Sequence, residues 1–267
     1  MTLSPSSPLT LAPAARAAPT AQDQRAGFRL YSQPMETLLA GLGGTRGALI
    51  VTPNLDHLRL LDRSAALRRA YRSADIVIND SRFLARLCLG ERALTLPGSE
   101  LAPLMLERGP DGARALVVGC DAAVKADLQA RYAGVSFTFI EPTMGFIRRR
   151  SERRALVRAA LAARPDLTFI CTGAPQSELL AAQMKRAGLK ADMLCCGSAF
   201  HFLAGTKARA PSWARKLGAE WLWRFVLESR TRRRYAADAL FLAGNALAFV
   251  SLKVTGHARF GRYGLKV

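Results

Sequence analysis

Short apolar runs alternate with helix-like segments from residue 48 to residue 196, and this alternation constrains the fold more than any other feature of the sequence. Six runs are bounded by Gly, Pro, Asp or Asn and are predicted to be strands: 48–52, 76–78, 115–119, 136–140, 167–172 and 193–196. Helical patterns fill the intervals, at 55–72, 82–89, 100–108, 122–132, 151–163 and 177–187. This order predicts the α/β class, with a Rossmann-like parallel sheet and helices on both faces.

Functional residues are expected in the turns that directly follow the strands, because ligands of such folds bind at the carboxyl ends of the strands. The sequence lacks the Gly-x-Gly-x-x-Gly pattern of dinucleotide-binding folds, and it also lacks the Gly-x-x-x-x-Gly-Lys-Ser/Thr pattern of P-loops. Both of these nucleotide-binding classes are therefore disfavoured.

Composition divides the chain into three parts. Residues 1–26 are rich in Ala, Pro, Ser and Thr and are predicted to be a disordered N-terminal tail, with a transit peptide as the alternative. Pro13, Arg16 and Pro19 interrupt any apolar core of the signal-peptide type. Residues 27–206 form the predicted α/β core, and residues 207–267 form a predicted basic, helical C-terminal appendage.

The net charge of +19 favours an anionic partner, whether nucleic acid, acidic lipid or a phosphorylated substrate. A general bias of composition towards Arg and Ala is the alternative explanation. The five cysteines include no Cys-x-x-Cys pair, and most lie in strand-like runs, which indicates reduced core residues of a cytosolic protein. Neither the cysteines nor the three histidines have metal-ligand spacing, so no metal site is predicted.

The charge concentrates in the C-terminal appendage, where residues 207–234 contain nine Lys or Arg against two acids. Residues 211–235 are predicted to form one basic helix containing Trp213, Trp221 and Trp223. Residues 236–252 are apolar except for Asp238, Asn245 and Ser251, which weakens a bilayer-spanning interpretation and favours a helix at the membrane interface. An ordinary packing helix is the alternative.

Asp80 is the first candidate for chemistry, because it ends an apolar strand pattern and should project into the ligand cleft. A carboxylate there can accept a proton from a hydroxyl nucleophile, although Asp80 could instead cap the next helix. Thr52 and Asn54 follow the neighbouring strand, where a hydroxyl and an amide could bind sugar hydroxyls or phosphate. For Asn54 the alternative is again a helix cap.

Several predicted helix starts could bind phosphate through their free N–H groups. Candidate substrate-binding residues at these turns are Gly98, Ser99, Glu100, Gly119, Gly173, Pro175, Ser177 and Glu178. Capping and turn formation are the alternative roles. Four arginines, Arg209, Arg224, Arg230 and Arg234, could clamp a diphosphate. On one continuous helix Arg224 and Arg234 would lie within about 80° of each other, although a solvated basic face is the simpler interpretation of any single arginine.

Taken together in order, these pieces resemble the WecG/TagA/CpsF glycosyltransferases. The resemblance extends over roughly residues 28–235 and is carried by Thr52-Pro53-Asn54, Asp80, Gly98-Ser99-Glu100, Gly173-Ala174-Pro175, Glu178, Phe200, Ala204-Gly205, Arg209-Ala210-Pro211 and Glu220-Trp221-Leu222-Trp223-Arg224.

The resemblance implies a metal-independent, inverting enzyme without a cofactor. It would move a hexosyl or N-acetylhexosaminyl group from a UDP-sugar donor to a polyprenyl-diphosphate-linked acceptor, for surface polysaccharide or exopolysaccharide synthesis. Asp80 would be the base, Thr52 and Asn54 would lie in the pocket, and the C-terminal arginines would bind phosphates. The enzyme would be a peripheral protein on the cytoplasmic face of the inner membrane, which its appendage would contact, and it could be a homo-oligomer.

Two alternatives remain at this point. Departures from the family pattern at Thr95, Ser177 and His201 allow a non-catalytic paralogue that binds lipid-linked sugar without turning it over. The basic composition allows a nucleic-acid-binding protein, although no zinc finger, helix-turn-helix or aromatic RNA-binding pattern is present and no nucleic-acid partner is expected.

Overall fold

A computed structural model describes residues 27–43, 47–208, 210–227 and 232–267, and within them the side chains of residues 215, 224 and 227 are not described. The predicted N-terminal tail, Arg209 and Arg230 lie outside the described residues. Of Arg224 only the backbone is described.

The α/β prediction is confirmed by a six-stranded, fully parallel sheet of order β3-β2-β7-β6-β4-β5. A separate three-stranded sheet has the order β1-β9-β8. The strands are β1 (Phe28–Arg29), β2 (Leu49–Val51), β3 (Ile76–Val77), β4 (Arg114–Val118), β5 (Ser136–Ile140), β6 (Leu167–Ile170), β7 (Asp192–Cys195), β8 (His257–Phe260) and β9 (Tyr263–Lys266). All six predicted strands are present, with ends within two residues of the prediction.

Alternate residues of the large sheet enter two different apolar cores, as the twofold repeat of a strand requires. Leu49 and Val51 of β2 belong to one core, and Ile50 belongs to the other. Cys195 and Cys196 also divide between the two cores. The sheet is therefore covered by helices on both faces.

The helices that cover the sheet begin with α1 (Met35–Ala40), α2 (Leu55–Arg63), α3 (Ala65–Ser73), α4 (Arg82–Leu84), α5 (Gly98–Glu107), α6 (Ala122–Arg131), α7 (Arg150–Ala163), α8 (Gln176–Arg186) and α9 (Ala199–Leu203). A π-helical turn (Ala85–Leu89) continues α4, and short 3-10 turns lie at Gly90–Arg92 and Phe146–Arg148. The appendage contributes α10 (Ser212–Lys216), α11 (Glu220–Leu227), α12 (Arg232–Gly244) and α13 (Ala246–Thr255).

The single helix predicted over 55–72 is wrong, because Ser64 divides it into α2 and α3. Ser64 has an extended backbone, and its N–H donates to Leu60 at 2.8 Å to close α2. Its hydroxyl accepts a hydrogen bond from the N–H of Leu67 at 3.1 Å and so caps α3. A serine hydroxyl forms a hydrogen bond with a free N–H at a helix start, so the interruption at Ser64 costs little free energy.

The continuous basic helix predicted over 211–235 is also wrong. Gly218 adopts a left-handed backbone (φ +68°) between α10 and α11, and its backbone lies against that of Phe83. Arg232, at the start of α12, donates to the carbonyl oxygens of Phe225 and Val226 at 3.2 and 3.3 Å and so closes the end of α11. Arg224 and Arg234 therefore lie on different helices, and the argument from their angle on one helix fails.

Asn245 divides the apolar segment 236–252 between α12 and α13, which meet at a bend of 68°. The Asn245 amide donates to the carbonyl of Phe241 at 2.9 Å. In the described part of the chain no single helix is long and apolar enough to cross a membrane, and only the bent pair α12–α13 passes on length and composition. Phe241, Phe249 and Leu252 are buried in the core. Both helices therefore pack against the core, as the alternative interpretation of this segment as an ordinary packing helix predicted.

The small sheet was not predicted, and it ties the C-terminal end of the chain to residues 28 and 29. Strand β9 pairs in parallel with β1 and antiparallel with β8. Tyr263 is buried and donates from its hydroxyl to the carbonyl of Leu58 at 2.8 Å. The division of the chain into residues 27–206 and 207–267 stays a prediction.

Candidate active site

Asp80 lies in a tight turn beyond β3, at the carboxyl edge of the sheet. Its N–H donates to the carbonyl of Pro53 at 3.0 Å, which joins the turns after β2 and β3. The buried Asn79 amide donates to Thr95 Oγ1 and to the Ser81 carbonyl, both at 2.9 Å. Ser81 rather than Asp80 caps the next helix, because the Ser81 hydroxyl accepts from the N–H of Leu84 at 3.2 Å.

The Asp80 carboxylate is fixed by the first residue of α5. Its Oδ1 accepts a hydrogen bond from the N–H of Gly98 at 2.9 Å. A Cβ at residue 98 would lie 3.3 Å from Cys196 Cα and 3.4 Å from Thr52 Oγ1, so only glycine lets α5 start this close to the strand ends. The start of α5 was predicted to bind phosphate. In the structure its first N–H group instead orients the carboxylate of Asp80, the candidate base.

A cavity of about 190 Å³ opens beside Asp80, between the ends of β2 and β3 and the appendage helices α11 and α12. It is lined by polar and charged residues together with aromatic and aliphatic ones: Asn54, Leu55, Asp56, Asp80, Ser81, Arg82, Phe83, Gly218, Glu220, Trp221, Arg234, Tyr235, Asp238, Ala239 and Leu242. The appendage therefore supplies about half of the wall that faces Asp80.

Two arginines form ion pairs that join the appendage to the core beside the cavity. Arg82 contacts Glu100 of α5 at 2.6 Å and Glu220 of α11 at 3.2 Å. Arg59 contacts Asp238 of α12 at 2.6 Å and also pairs with Asp56. Burial alone would lower the pKa of Arg59, but its bonds to the two carboxylates raise that pKa. Burial also raises the pKa of Asp238, against the effect of Arg59.

Arg234 is the predicted phosphate ligand that the structure brings to Asp80. Its guanidinium lies 4.8 Å from the centre of the Tyr235 ring, and both residues line the cavity. The Arg234 Nε atom is buried and has no hydrogen-bond partner in the described ranges. A buried N–H without a partner is unfavourable, but this atom has no exposed surface at which a ligand in the cavity could contact it.

Asn54 combines its predicted pocket position with the capping role that was its alternative. Its Oδ1 accepts hydrogen bonds from the N–H groups of Asp56 and His57, at 3.1 and 3.4 Å, and thereby caps α2. Asn54 also lines the cavity. Thr52 differs, because its buried hydroxyl donates to the carbonyl of Cys195 at 3.0 Å and so joins β2 to β7 outside the cavity lining.

The remaining predicted residues lie further along the carboxyl edge. Gly119 and Gly173 have left-handed backbones after β4 and β6, and Pro175 precedes α8. Ser177 is buried, and its hydroxyl donates to the carbonyl of Ile170 at 3.2 Å. Because β4 lies four strand positions from β3, the turn at Gly119 is roughly 19 Å from Asp80 at the usual strand spacing. Ser99 lies in the first turn of α5, next to Gly98.

Sequence reasoning missed two residues at this site. Arg82 was included only in a predicted helix, although it follows Asp80 by two residues. His57 was considered only as a metal ligand, yet its Nε2 lies 3.2 Å from Oε1 of the buried Glu178. A carboxylate–histidine pair separated by 121 residues leaves no local sequence signal.

Comparison with known proteins identifies the family of this chain. The family described as Glycosyl transferase WecG/TagA/CpsF matches residues 27–253, which include the core, the cavity and helices α10 to α12. The chain belongs to this family of glycosyltransferases, as the resemblance of its motifs implied.

A relative from Bacillus subtilis (strain 168) is named N-acetylglucosaminyldiphosphoundecaprenol N-acetyl-beta-D-mannosaminyltransferase. It is 35% identical over 75 residues, which are 28% of this chain and 29% of the relative. The match thus spans less than a third of the relative's length.

Proposed function

We propose that this protein transfers a sugar from a UDP-sugar donor to an acceptor linked to a polyprenyl diphosphate, with inversion at the anomeric carbon. The observation that carries the proposal is the position of the Asp80 carboxylate, at the carboxyl edge of the sheet and in the wall of a cavity that α11 and α12 complete. Family membership and the name of the relative support the reaction class and the lipid-linked acceptor.

In the transfer step Asp80 accepts the proton of the attacking acceptor hydroxyl. The acceptor oxygen forms a bond to the anomeric carbon while the bond from that carbon to the donor phosphate breaks. UDP leaves with the bonding electron pair, on the opposite side of the sugar. A general base of this kind contributes typically about 10²- to 10⁴-fold to the rate.

Charge on the departing diphosphate requires stabilisation, and Arg234 is the described residue best placed to supply it. Its side chain lines the same cavity as Asp80. Fixed cationic donors in a partly dry site stabilise a developing anion more strongly than water does. Arg209, Arg224 and Arg230 were also predicted to bind the diphosphate, and that role remains part of the proposal.

Sugar recognition fits the mixed character of the cavity wall. Phe83 and Trp221 meet edge to face, with ring centres 6.2 Å apart, and Tyr235 lines the same space. Aromatic faces pack against the C–H faces of sugars, while carboxylates and amides bind their hydroxyls. Such a wall suits a sugar ring better than it suits an extended acyl chain.

Apolar side chains exposed on the appendage support contact with a membrane surface, where a polyprenyl acceptor resides. Leu247, Val250 and Val254 lie on one face of α13 and are all more than half exposed. Trp213 of α10 is 59% exposed. Basic side chains accompany them, including the exposed Arg232 and Arg233 at the start of α12. Apolar and basic groups together are typical of proteins that bind anionic lipid surfaces.

The proposal is tested by incubating the purified protein with anionic vesicles that contain a polyprenyl-diphosphate-linked sugar and with each of a panel of UDP-sugars. We expect UDP release and a lipid product larger by one sugar with at least one donor. Absence of product with every donor would support the non-catalytic alternative. Metal independence remains an expectation, and turnover that persists in a chelator would agree with it.

A further inference from the structure

The small sheet of β1, β9 and β8 has one face in the core and one face towards solvent. Phe28, Phe260 and Leu265 pack in the apolar core. Successive side chains of a strand point to opposite faces, so the residues that alternate with these three form the outer face. That face carries four basic or imidazole side chains, which are Arg29, His257, Arg259 and Lys266. The outer face therefore presents cationic groups from all three strands.

Arg29, Lys266 and His257 stand in one row across the strands. Lys266 is in parallel register with Arg29 of β1 and in antiparallel register with His257 of β8. Adjacent strands are about 4.8 Å apart, so the row is only about 10 Å wide. Like charges on adjacent strands destabilise a sheet, and neither Arg29 nor Lys266 forms an ion pair in the described part of the chain. An anion bound over this row would remove the repulsion.

The neighbouring row of the sheet consists of Arg259 and two glycines. Arg259 of β8 is paired with Gly264 of β9, and a Cβ at Gly27 would overlap the carbonyl of Gly264. A cavity of about 390 Å³ lies here. Its lining includes both glycines and five polar or charged residues, Ser251, His257, Arg259, Arg262 and Lys266. Among the described residues that line it, none is acidic.

One carboxylate lies close to the turn between β8 and β9. Oδ1 of Asp62 accepts a hydrogen bond from the backbone N–H of Arg262 at 3.3 Å. Within the described ranges Asp62 forms no ion pair with Arg259 or Arg262. Asp62 thus holds the backbone of the turn and leaves both guanidinium groups to a ligand.

The chemistry of this face suits a phosphate group better than a nucleic-acid strand. Arginine and lysine are the side chains that most often bind phosphate oxygens. Nucleic-acid strands also need aromatic rings on which bases stack. The rings of Phe28, Phe260 and Tyr263 stack on one another in the core instead, so none of the aromatic rings described in this sheet lies on its outer face.

Apolar side chains beside the cavity favour a phosphate that is carried by a lipid. Ser251 of α13 lines the cavity, and Leu247, Val250 and Val254 of the same helix are exposed. At 100° per residue, these four side chains lie within an arc of about 100°. A headgroup phosphate in the cavity would therefore place its acyl chains next to the exposed face of α13.

We propose that the outer face of the small sheet is a phosphate-binding site, in which Arg259, Lys266 and Arg29 bind the oxygens of an anionic lipid headgroup. The site is separate from the cavity at Asp80, and β8 and β9 lie beyond residue 253, where the family match ends. The inference goes beyond the proposed transfer reaction and does not depend on it.

Two double variants with the same loss of charge test the site. Arg259→Gln with Lys266→Gln removes two cations from the outer face of the sheet. Arg154→Gln with Arg158→Gln is the control, because these exposed arginines lie on α7, far from the small sheet in the sequence. With vesicles of phosphatidylglycerol, we expect the first variant to bind about tenfold or more weakly than the wild type and the control to stay within about twofold.

Inorganic phosphate tests the same site without a membrane. A ligand that binds the folded state raises the unfolding midpoint. Phosphate should therefore raise the midpoint of the wild type and of the control by more than that of the Arg259→Gln/Lys266→Gln variant. Without phosphate this variant should unfold no earlier than the wild type, because it removes repulsion between like charges.

Weaker vesicle binding by the Arg259→Gln/Lys266→Gln variant would support a lipid phosphate as the ligand. A smaller effect of inorganic phosphate, with vesicle binding unchanged, would support the site but assign it to free phosphate. Equal behaviour of the two double variants in both measurements would overturn the inference, as would early unfolding of the first variant without phosphate. An RNA oligonucleotide that the wild type binds more tightly than the vesicles would also overturn it.

None of these measurements involves turnover. A transfer assay without product would therefore reject the proposed function and leave the phosphate site standing, which distinguishes the two failures.

Discussion

At the scale of single residues, the site depends on close contacts that join sequentially distant turns. Gly98 lies against Cys196 and Thr52 and donates its N–H to Asp80. The sequence placed Asp80 after a strand and Gly98 at a helix start, but it could not show that one orients the other. Hydrogen bonds across 18 residues depend on how the elements pack, which no local pattern contains.

Substitution of Gly98 by alanine tests this contact. The new Cβ would lie 3.3 Å from Cys196 Cα, so α5 or its neighbour must shift by a few tenths of an ångström, which disturbs the contact between this N–H and Asp80. We expect kcat/KM to fall about tenfold or more and stability to fall by about 1–3 kcal/mol. The control is Gly134→Ala, which has nothing within 4 Å of its added Cβ. Equal activity of both variants in the transfer assay would argue against the contact.

The residues that depart from the family pattern have structural partners here. Thr95 Oγ1 accepts from the Asn79 amide at 2.9 Å, and Ser177 Oγ lies 3.1 Å from Thr172 Oγ1. His201 Nδ1 lies 3.0 Å from Thr206 Oγ1. These partners explain how the altered side chains are accommodated, while the turnover assay decides between an enzyme and a non-catalytic paralogue.

At the scale of elements, the sequence predicted the sheet well and the appendage poorly. Strands β2, β4, β6 and β7 are apolar runs that are almost entirely buried, so each is recognisable from its own residues. The helix boundaries at Ser64, Gly218 and Asn245 arise from side-chain caps and a left-handed glycine, each of which is also common in other contexts. Strands β8 and β9 were not predicted, because they pair with each other and β9 pairs with β1 from the other end of the described chain.

The ion pair between Asp238 and Arg59 holds α12 on α2, and we expect its loss to destabilise the protein. Both side chains are largely buried, with exposures of 6% and 12%. Asp238→Ala would leave a buried guanidinium with fewer partners and should lower the free energy of unfolding by about 3 kcal/mol.

Asp127→Ala is the matched control, because it removes a surface pair with Arg131 four residues away and should change stability by less than about 0.5 kcal/mol. Urea denaturation of the two variants compares them directly. A similar small change in both would show that α12 does not depend on the Arg59 pair.

At the scale of the whole molecule, a parallel sheet supplies the candidate base and the appendage supplies an arginine, aromatic rings and an exposed apolar surface. The cavity exists only where the two meet, since its lining includes residues from positions 54 to 83 and from positions 218 to 242. Site assembly from both ends of the chain explains why the sequence identified Asp80, Asn54 and Arg234 separately but could not place them together.

The proposed membrane contact predicts that the protein binds anionic vesicles through the exposed face of α13. Replacing Leu247, Val250 and Val254 together by glutamate should weaken vesicle co-sedimentation at least tenfold, because apolar burial is lost and lipid charges are repelled. Met144→Glu is the control, since Met144 is 94% exposed but lies outside the appendage. Unchanged binding by the triple variant would exclude α13 as the contact.

The most direct test of the account is the substitution Asp80→Asn. The new amide can still accept the N–H of Gly98 through its side-chain oxygen, so the geometry of the turn should persist while the base is lost. With wild-type protein and a productive UDP-sugar in hand, we expect kcat to fall by about 10²-fold or more, with unchanged donor KM and unfolding midpoint. Transfer at the wild-type rate by Asp80→Asn would contradict the account.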